Sequence, residues 1–394
     1  MSKWEMVRLG DVGVIITGNT PRKSDLKNYE TNDIPFYKPG DFIEGRISSL
    51  RKAENNISTY AKKSARILPQ GSVLVTCIGI IGKIGVIQEE SACNQQINAI
   101  IPDEIICFNR YLSYAILHIN KSLNDIANSA VVPIINKSQF SNIIIPLPPL
   151  DIQKKIATAL DSANALIEKR KEQIEKLDLL IKSQFIEMFG DPVTNPKGWE
   201  ESELEDYIIF LTSGSRGWSK YFSCNGEIFI TIKNIKNSKL LLKEIQYINP
   251  PDTKEAERTR VQQYDLLISI TADLGRTAVV TEAVANYGAY INQHISLIRL
   301  NREYVNPKYV SYYLESSAGK RQFSKKNQVG VKSGLNFSAL KSLVILVPCI
   351  TLQNQFAEFV EKVEAQKALL QKSLSDMEEN YQSLMQKCFK GEIF

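Results

Sequence analysis

The sequence predicts an α+β chain: two mixed α/β domains related by pseudo-twofold symmetry, separated by two long helices that form an antiparallel coiled coil. Three observations carry this. The second half of the 394 residues repeats the first, each half holds short β-branched runs, and each half closes on a long stretch free of glycine and proline. At roughly 100 to 200 residues per domain the length allows two to four domains, and 43% apolar residues are enough for packed cores.

The repeat is read residue by residue. Asn136 to Phe140, Pro146 to Pro149 and Gln153 fall on Asn336 to Leu340, Val347-Pro348 and Gln353, and the same offset carries Ser183 onto Ser383 and Phe189 onto Phe389. Trp4 with Leu9-Gly10-Asp11 aligns on Trp199 with Leu204-Glu205-Asp206; Gly71 to Val75 followed by Gly82-Lys83 aligns on Tyr264 to Ile268 followed by Gly275-Arg276; Asn94-Gln95 aligns on Asn292-Gln293. Such a period is far longer than a solenoid repeat of about 20 to 50 residues, so it is a duplicated domain. The intervening stretches, Arg22 to Tyr29 against Gly217 to Cys224, share almost nothing. One scaffold therefore carries two different surfaces.

In chain order, residues 1–148 form the first domain. Val12 to Ile16, Ser72 to Thr76 and Ile97 to Ile101 are β-branched runs bounded by turn residues and predict strands; Asn109 to Ile126 predicts a helix. After Pro146-Leu147-Pro148-Pro149, which stops the preceding strand, residues 149–190 predict one long central helix with apolar seam positions Ile156, Leu160, Ile167, Ile174, Leu177 and Ile181. Residues 191–347 repeat the domain, with strands at Leu266 to Ile270 and Ile295 to Arg299 and a helix at Pro307 to Gln322. Residues 348–394 repeat the helix, with Phe356, Val360, Leu370, Leu374, Met377 and Leu384 on its seam. The simplest partner for each seam is the other, with Arg170 and Lys367 as polar interruptions that set register.

No run approaches the roughly 18 to 20 apolar residues of a membrane span, and the start lacks the apolar region of a signal peptide, so a soluble cytoplasmic protein without a membrane partner is expected. The six cysteines contain no C-x-x-C pair, which argues against a zinc knuckle, and two histidines, His118 and His294, leave little for a metal site or a Ser-His-Asp triad. No metal site and no catalytic residue is assigned.

The net charge of +5 divides unevenly: +3 on residues 1–150, 0 on 151–190, +4 on 191–349 and −2 on 350–394. Basic globular parts and helices of zero or negative net charge fit phosphate contact by the former and protein contact by the latter. Candidate DNA contacts are Arg22, Lys23, Lys27, Arg46, Arg51, Lys52, Lys62 and Lys63 in the first domain, and Arg216, Lys220, Lys233, Lys236 and Lys239 in the second. The segments Thr20 to Lys27, Arg46 to Lys63, Ser215 to Lys220 and Lys233 to Lys239 mix these cations with Tyr, Asn and Gln, which suits phosphate anchoring with base-edge hydrogen bonds. The loops Ser129 to Asn136 and Gln328 to Asn336 face either DNA or the hinge.

Two catalytic motifs fail. Asn249-Pro250-Pro251-Asp252 begins like the motif with which adenine methyltransferases hold a flipped base but has Asp252 where the aromatic belongs. Gly79-Ile80-Ile81-Gly82-Lys83 lacks the first glycine and the Ser/Thr of a phosphate loop and reads as a hairpin turn.

The opening Trp4, Leu9, Gly10, Asp11, then Thr17-Gly18-Asn19-Thr20-Pro21, the Pro148-Pro149 and Gln153 element and the terminal Ser383 to Gly391 segment resemble the specificity subunit of type I restriction-modification systems, over the whole chain. The second copy departs at Glu205 and Cys349. The resemblance implies two target-recognition domains that each read part of a bipartite asymmetric site in double-stranded DNA, and helices that set their separation and dock two modification (methyltransferase) subunits. It implies no cofactor in this chain: S-adenosylmethionine, ATP and magnesium belong to the modification and restriction/translocase subunits. The competing readings are a self-contained adenine-specific DNA methyltransferase and a coiled-coil scaffold without DNA binding.

Overall fold

The computed structural model describes residues 3–127, 132–327 and 334–394. The chain divides into two compact units, residues 1–172 with 371–394 and residues 173–370. Each long helix, Leu150–Phe189 and Ile350–Lys390, therefore gives one half to each unit.

In the first unit a five-stranded sheet has the order Gly13–Thr17, Ile97–Pro102, Val73–Thr76, Ile84–Ile87, Ile47–Leu50, antiparallel except for the last pair. Strand alternation divides its side chains between two cores. Val73, Val75, Ile84, Val86 and Ile100 face Tyr111, Leu112, Ala115 and Ile116 of the helix Asn109–His118, whereas Leu74, Ile87, Ile97 and Ala99 face Tyr37, Phe42 and Leu50. A three-stranded sheet, Asn55–Ile57, Ile34–Tyr37, Ala92–Cys93, lies beyond.

The second unit repeats the plan. Its sheet runs Ile208–Ser213, Ile295–Leu300, Leu266–Ser269, Thr277–Val279, with Leu266, Ile268 and Ile298 in one core and Leu267, Leu297 and Ile295 in the other. The fifth strand is reduced to a single parallel bridge, Ser238 with Ala278. A four-stranded sheet replaces the outer three-stranded one: Phe222–Ser223, Gln246–Ile248, Glu227–Ile230, Ala289–Ile291.

The repeated motifs have a common physical use. Gln153 is fully buried: Nε2 donates to the Pro148 and Ile106 carbonyls, both at 2.8 Å, and Oε1 accepts from the Phe108 amide at 2.8 Å. Gln353 repeats this with Pro348, Tyr304 and Asn306. Each amide ties the start of a long helix to the loop before the helix Asn109–His118 or Pro307–Glu315 of its unit. The tryptophans serve the other ends: Trp4 Nε1 donates to the Cys388 carbonyl at 3.1 Å and Trp199 Nε1 to that of Phe189 at 2.8 Å, satisfying acceptors that a helix C-terminus leaves open. Gly391 and Gly190 follow with φ of +76° and +81°, the left-handed stop that a side chain disfavours.

Within each unit the two helical segments run antiparallel. In the first, Arg170 hydrogen-bonds Ser373, Lys171 pairs with Glu378 at 3.1 Å, and Ile156 and Leu160 share a core with Met385, Cys388 and Phe389. In the second, Lys367 pairs with Asp178, and Phe356 meets Phe185 and Phe189 at centroid distances of 5.4 and 5.5 Å. Both polar interruptions of the seam, Arg170 and Lys367, thus find a partner on the opposite helix. The seam packs on more than its partner helix, because Ile156 and Leu160, and likewise Ile181, Phe356 and Val360, enter the cores under the sheets. Ile167 is buried, Leu177 and Leu384 pack against these cores, and Ile174, Leu370, Leu374 and Met377 are half-buried.

Where a single helix was expected after each sheet, two are found: Asn109–His118 with Asn120–Ala127, and Pro307–Glu315 with Ser317–Lys326. In the second unit the break is built by Ser316, whose extended backbone ends one helix while its side chain accepts from the Gly319 amide to start the next. Among the described residues no helix is long and apolar enough to cross a membrane.

Candidate nucleic-acid interface

In the first unit, the strand Gly13–Thr17 runs into a loop that crosses the segment Cys93 to Gln96. The crossing requires Gly18: a Cβ there would stand 2.2 Å from the Asn94 carbonyl oxygen and 2.4 Å from that of Cys93. Beyond it, Thr20 Oγ1 donates to Gln95 Oε1 at 2.8 Å, Asn19 Nδ2 donates to the Ser64 carbonyl at 2.7 Å, and Tyr29 Oη donates to the Pro21 carbonyl at 2.7 Å. The Arg66 amide and guanidinium donate back, to Asn19 Oδ1 and to the Thr17 carbonyl. Segments distant in sequence, Thr17 to Tyr29, Ser58 to Arg66 and Asn94 to Gln96, therefore form one hydrogen-bonded patch.

Several predicted residues meet on this patch. Arg22, Lys23, Lys27, Lys62 and Lys63 are exposed there, with Lys27 and Lys63 lying 5.8 and 4.6 Å from the Tyr60 ring and Lys62 paired with Glu90. Arg51 and Lys52 are exposed just past the edge strand Ile47–Leu50. Arg46 is engaged elsewhere: its guanidinium meets Glu168 of the central helix at 2.8 Å.

The second unit repeats the crossing at Gly214, where a Cβ would stand 2.1 Å from the Asn292 carbonyl oxygen. The following loop is held differently. Arg258 donates to Thr212 and to the Ser213 carbonyl, and Trp218 packs among Tyr221, Phe229 and Tyr290. Arg216 and Lys220 are exposed on it, Lys220 over the Tyr221 ring at 4.9 Å. Lys233 and Lys236 are exposed on the turn and hairpin after Glu227–Ile230, while Lys239 is drawn into ion pairs with the long helices.

Sequence reasoning left unassigned several polar groups that the fold adds: Asn19, Arg66 and Gln95 in the first unit, and Thr271, Gln293 and His294 in the second. His294 Nδ1 shares a 2.6 Å hydrogen bond with Thr271 Oγ1, and its Nε2 lies 3.0 Å from Gln293 Nε2. The alignment of Asn94-Gln95 on Asn292-Gln293 was their visible signal. Parts of the loops Ser129 to Asn136 and Gln328 to Asn336, residues 129–131 and 328–333, lie outside the described residues.

The failed motifs sit in ordinary structure. Asn249 to Asp252 is the coil leaving the strand Gln246–Ile248, and Gly79 to Lys83 closes the antiparallel pair Val73–Thr76 and Ile84–Ile87. Cys77, Cys93 and Cys107 are buried thiols whose pKa burial pushes up to about 12, which suppresses the thiolate a nucleophile needs. Among the described residues, no group of three or more His, Cys, Asp and Glu could hold a metal ion.

Comparison with known proteins agrees with this arrangement. The MjaIX specificity subunit of a type I restriction enzyme from Methanocaldococcus jannaschii is 31% identical over 253 residues, 59% of this chain and 58% of that protein. The MjaVIII specificity subunit of the same organism is 22% identical over 99% of this chain and 93% of its own length; the EcoBI specificity subunit of Escherichia coli is 21% identical over 99% and 86%. This chain thus spans less than three fifths of the first of these relatives and most of the other two. Two solved structures share the fold: a chain from a study of complex assembly and conformational transition of a type I R-M system (TM-score 0.64, 16% identity, 99% of this chain and 98% of that one), and the S subunit of a type I system from M. genitalium (TM-score 0.57, 13% identity, 98% and 96%). The family described as type I restriction modification DNA specificity domain matches residues 1–176 and again 196–379, one match on each copy of the repeat, and the chain belongs to that family.

Proposed function

We propose that this chain is the non-catalytic subunit that gives a type I restriction-modification complex its DNA sequence specificity, each unit reading one half of a bipartite, asymmetric duplex site. The observation that carries the reading is the pairing of like scaffolds with unlike loops: both units cross at a glycine, Gly18 and Gly214, yet the first then presents Thr20, Arg22, Lys23 and Gln95 and the second Arg216, Lys220, Gln293 and His294. Exposed Lys and Arg anchor phosphates and fix register, while amide, hydroxyl and guanidinium groups read base edges, each good bidentate contact contributing about 1 to 3 kcal/mol of discrimination.

The long helices supply the docking surface for two modification subunits and, through them, for the restriction/translocase subunits. S-adenosylmethionine, ATP and magnesium act in those partners. The experiment is a genome-wide map of methylated bases in cells with and without this chain. A two-part asymmetric site that disappears with the gene supports the reading; S-adenosylmethionine-dependent methylation by the isolated chain, or a methylation pattern indifferent to its loss, overturns it.

A further inference from the structure

The edge of the main sheet nearest the long helices carries one basic side chain in each unit. In the first it is Arg46, directly before the strand Ile47–Leu50; in the second it is Lys239, directly after Ser238, the residue that replaces that strand in pairing with Ala278. Lys239 is presented by a two-residue hairpin whose tip, Asn237-Ser238, has φ of +51° and +61°, as a type I′ turn requires. This local geometry is unusual for non-glycine residues and fixes the direction in which the Lys239 side chain leaves the backbone.

Both cations end on acids of the helix pair. Arg46 meets Glu168 at 2.8 Å; Glu168 lies 3.5 Å from Lys171, which reaches Glu378 of the C-terminal helix at 3.1 Å. Lys239 bridges the two helices directly, 3.2 Å from Asp178 and 2.5 Å from Glu364, with Asp178 also held by Lys367. Lys239 is 23% and Lys367 13% exposed, so this network is the better shielded of the two. Apolar packing does not fill the space beside either cation. A solvent-open groove of about 660 Å³ adjoins Arg46, lined by Ile43, Ile167, Lys171, Glu378 and Tyr381, and one of about 450 Å³ adjoins Lys239, lined by Asp178, Phe185, Tyr312 and Lys320. The helices share apolar cores with the sheets, and at the sheet edge the ion pairs add a second tie beside those cores.

We propose that Arg46 and Lys239 are positioning residues that fix the angle at which each recognition surface leaves its helical segment, and thereby set how strictly the complex measures the spacer between half-sites. The inference rests on the specificity-subunit reading above and takes both residues out of the set of phosphate contacts. One added base pair moves a half-site by about 3.4 Å and turns it by about 35°, so a unit free to rock tolerates a wrong spacer that a clasped unit rejects.

The test uses the assembled methyltransferase complex and duplexes that keep both half-sites but carry the native spacer or one base pair more or less. Lys239→Met and Glu364→Gln should raise methylation of the off-length duplexes relative to the native one by about tenfold, which is roughly 1.4 kcal/mol of lost discrimination. Half-site sequence preference should stay unchanged, and Lys239→Arg should restore strictness. Should Lys239→Met fail to fold, the near-isosteric Glu364→Gln still loosens the same pair. An unchanged off-length ratio in the folded variants overturns the proposal. So does a uniform fall in affinity on all duplexes with a shallower salt dependence, which would mark Lys239 as a phosphate contact. If the wild-type complex itself ignores the half-sites, the specificity reading has failed, not the clasp alone.

Discussion

Gly18→Ala is the smallest change that should disable one half of the recognition surface. The new Cβ would stand 2.2 Å from the Asn94 carbonyl oxygen, 2.4 Å from that of Cys93 and 2.6 Å from the Cys93 Sγ. Reaching ordinary contact at 3.4 Å means opening the crossing by about 1.2 Å, and two of the three obstructing atoms are backbone. Overpacking of this kind costs about 1 to 3 kcal/mol, which lowers the melting temperature of a unit this size by roughly 2 to 12 °C. The same displacement strains the 2.9 Å bond from the Gly18 amide to the Ile97 carbonyl and parts Thr20 from Gln95. Losing even one base-edge contact weakens reading of the half-site by about 1 to 3 kcal/mol, roughly 5- to 150-fold. Methylation assays on duplexes randomised in one half-site at a time should show relaxed preference in a single half, with Gly214→Ala relaxing the other. Unchanged preference in both halves by a folded Gly18→Ala complex would refute the idea that the crossing shapes the recognition surface.

Other consequences are simpler to measure. Gln153→Leu strands the Phe108 amide and leaves the Pro148 and Ile106 carbonyls without their buried donor, a loss of about 2 to 4 kcal/mol in denaturant unfolding; Gln353→Leu should cost a similar amount, and a cost below 0.5 kcal/mol, order-of-magnitude for an exposed site, would show the motif to be ornamental. Cys224 and Cys349 are exposed and the other four cysteines buried, so a thiol reagent should label those two rapidly in the native chain and the rest only on unfolding. The clasp also predicts a pH window. Burial raises the pKa of Asp178, but the Lys367 hydrogen bond and the Lys239 charge more than offset it and the net shift is downward from 3.8; burial lowers that of Lys239, but Glu364 and Asp178 more than offset it and the net shift is upward from 10.5. A lowered acid stabilises above its unfolded value and loses this as pH falls through the folded one, and a raised base does so in the opposite sense. The melting difference between wild type and Asp178→Asn should therefore be full between these limits and vanish in strong acid; a constant difference across the whole range would contradict the ion pairing.

The duplication, the two long helices and the main strands were legible because each is a local pattern that recurs at an offset of 193 to 200 residues. The double-sided packing of the sheets was not: Val73, Leu74 and Val75 are apolar and all buried, so the alternation that sends Val73 and Val75 to one core and Leu74 to the other leaves no polar residue among them to reveal it. The helix break at Ser316 is set by a single side-chain cap within an otherwise helical pattern. The candidate interface was half legible. Exposed cations announce themselves by type, but Thr20 and Gln95 lie 75 residues apart and meet only through the crossing at Gly18. For the same reason charge clustering placed Arg46 among the candidate DNA contacts without showing its ion pair with Glu168, 122 residues away.

The central claim, that two unlike surfaces on one scaffold read two separate halves of a site, is tested most directly by exchanging residues 1–146 for those of a relative with a different target and mapping the methylated sequence. The account predicts that one half of the recognised site changes while the other half stays as it was. A change in both halves, or in neither, would contradict it.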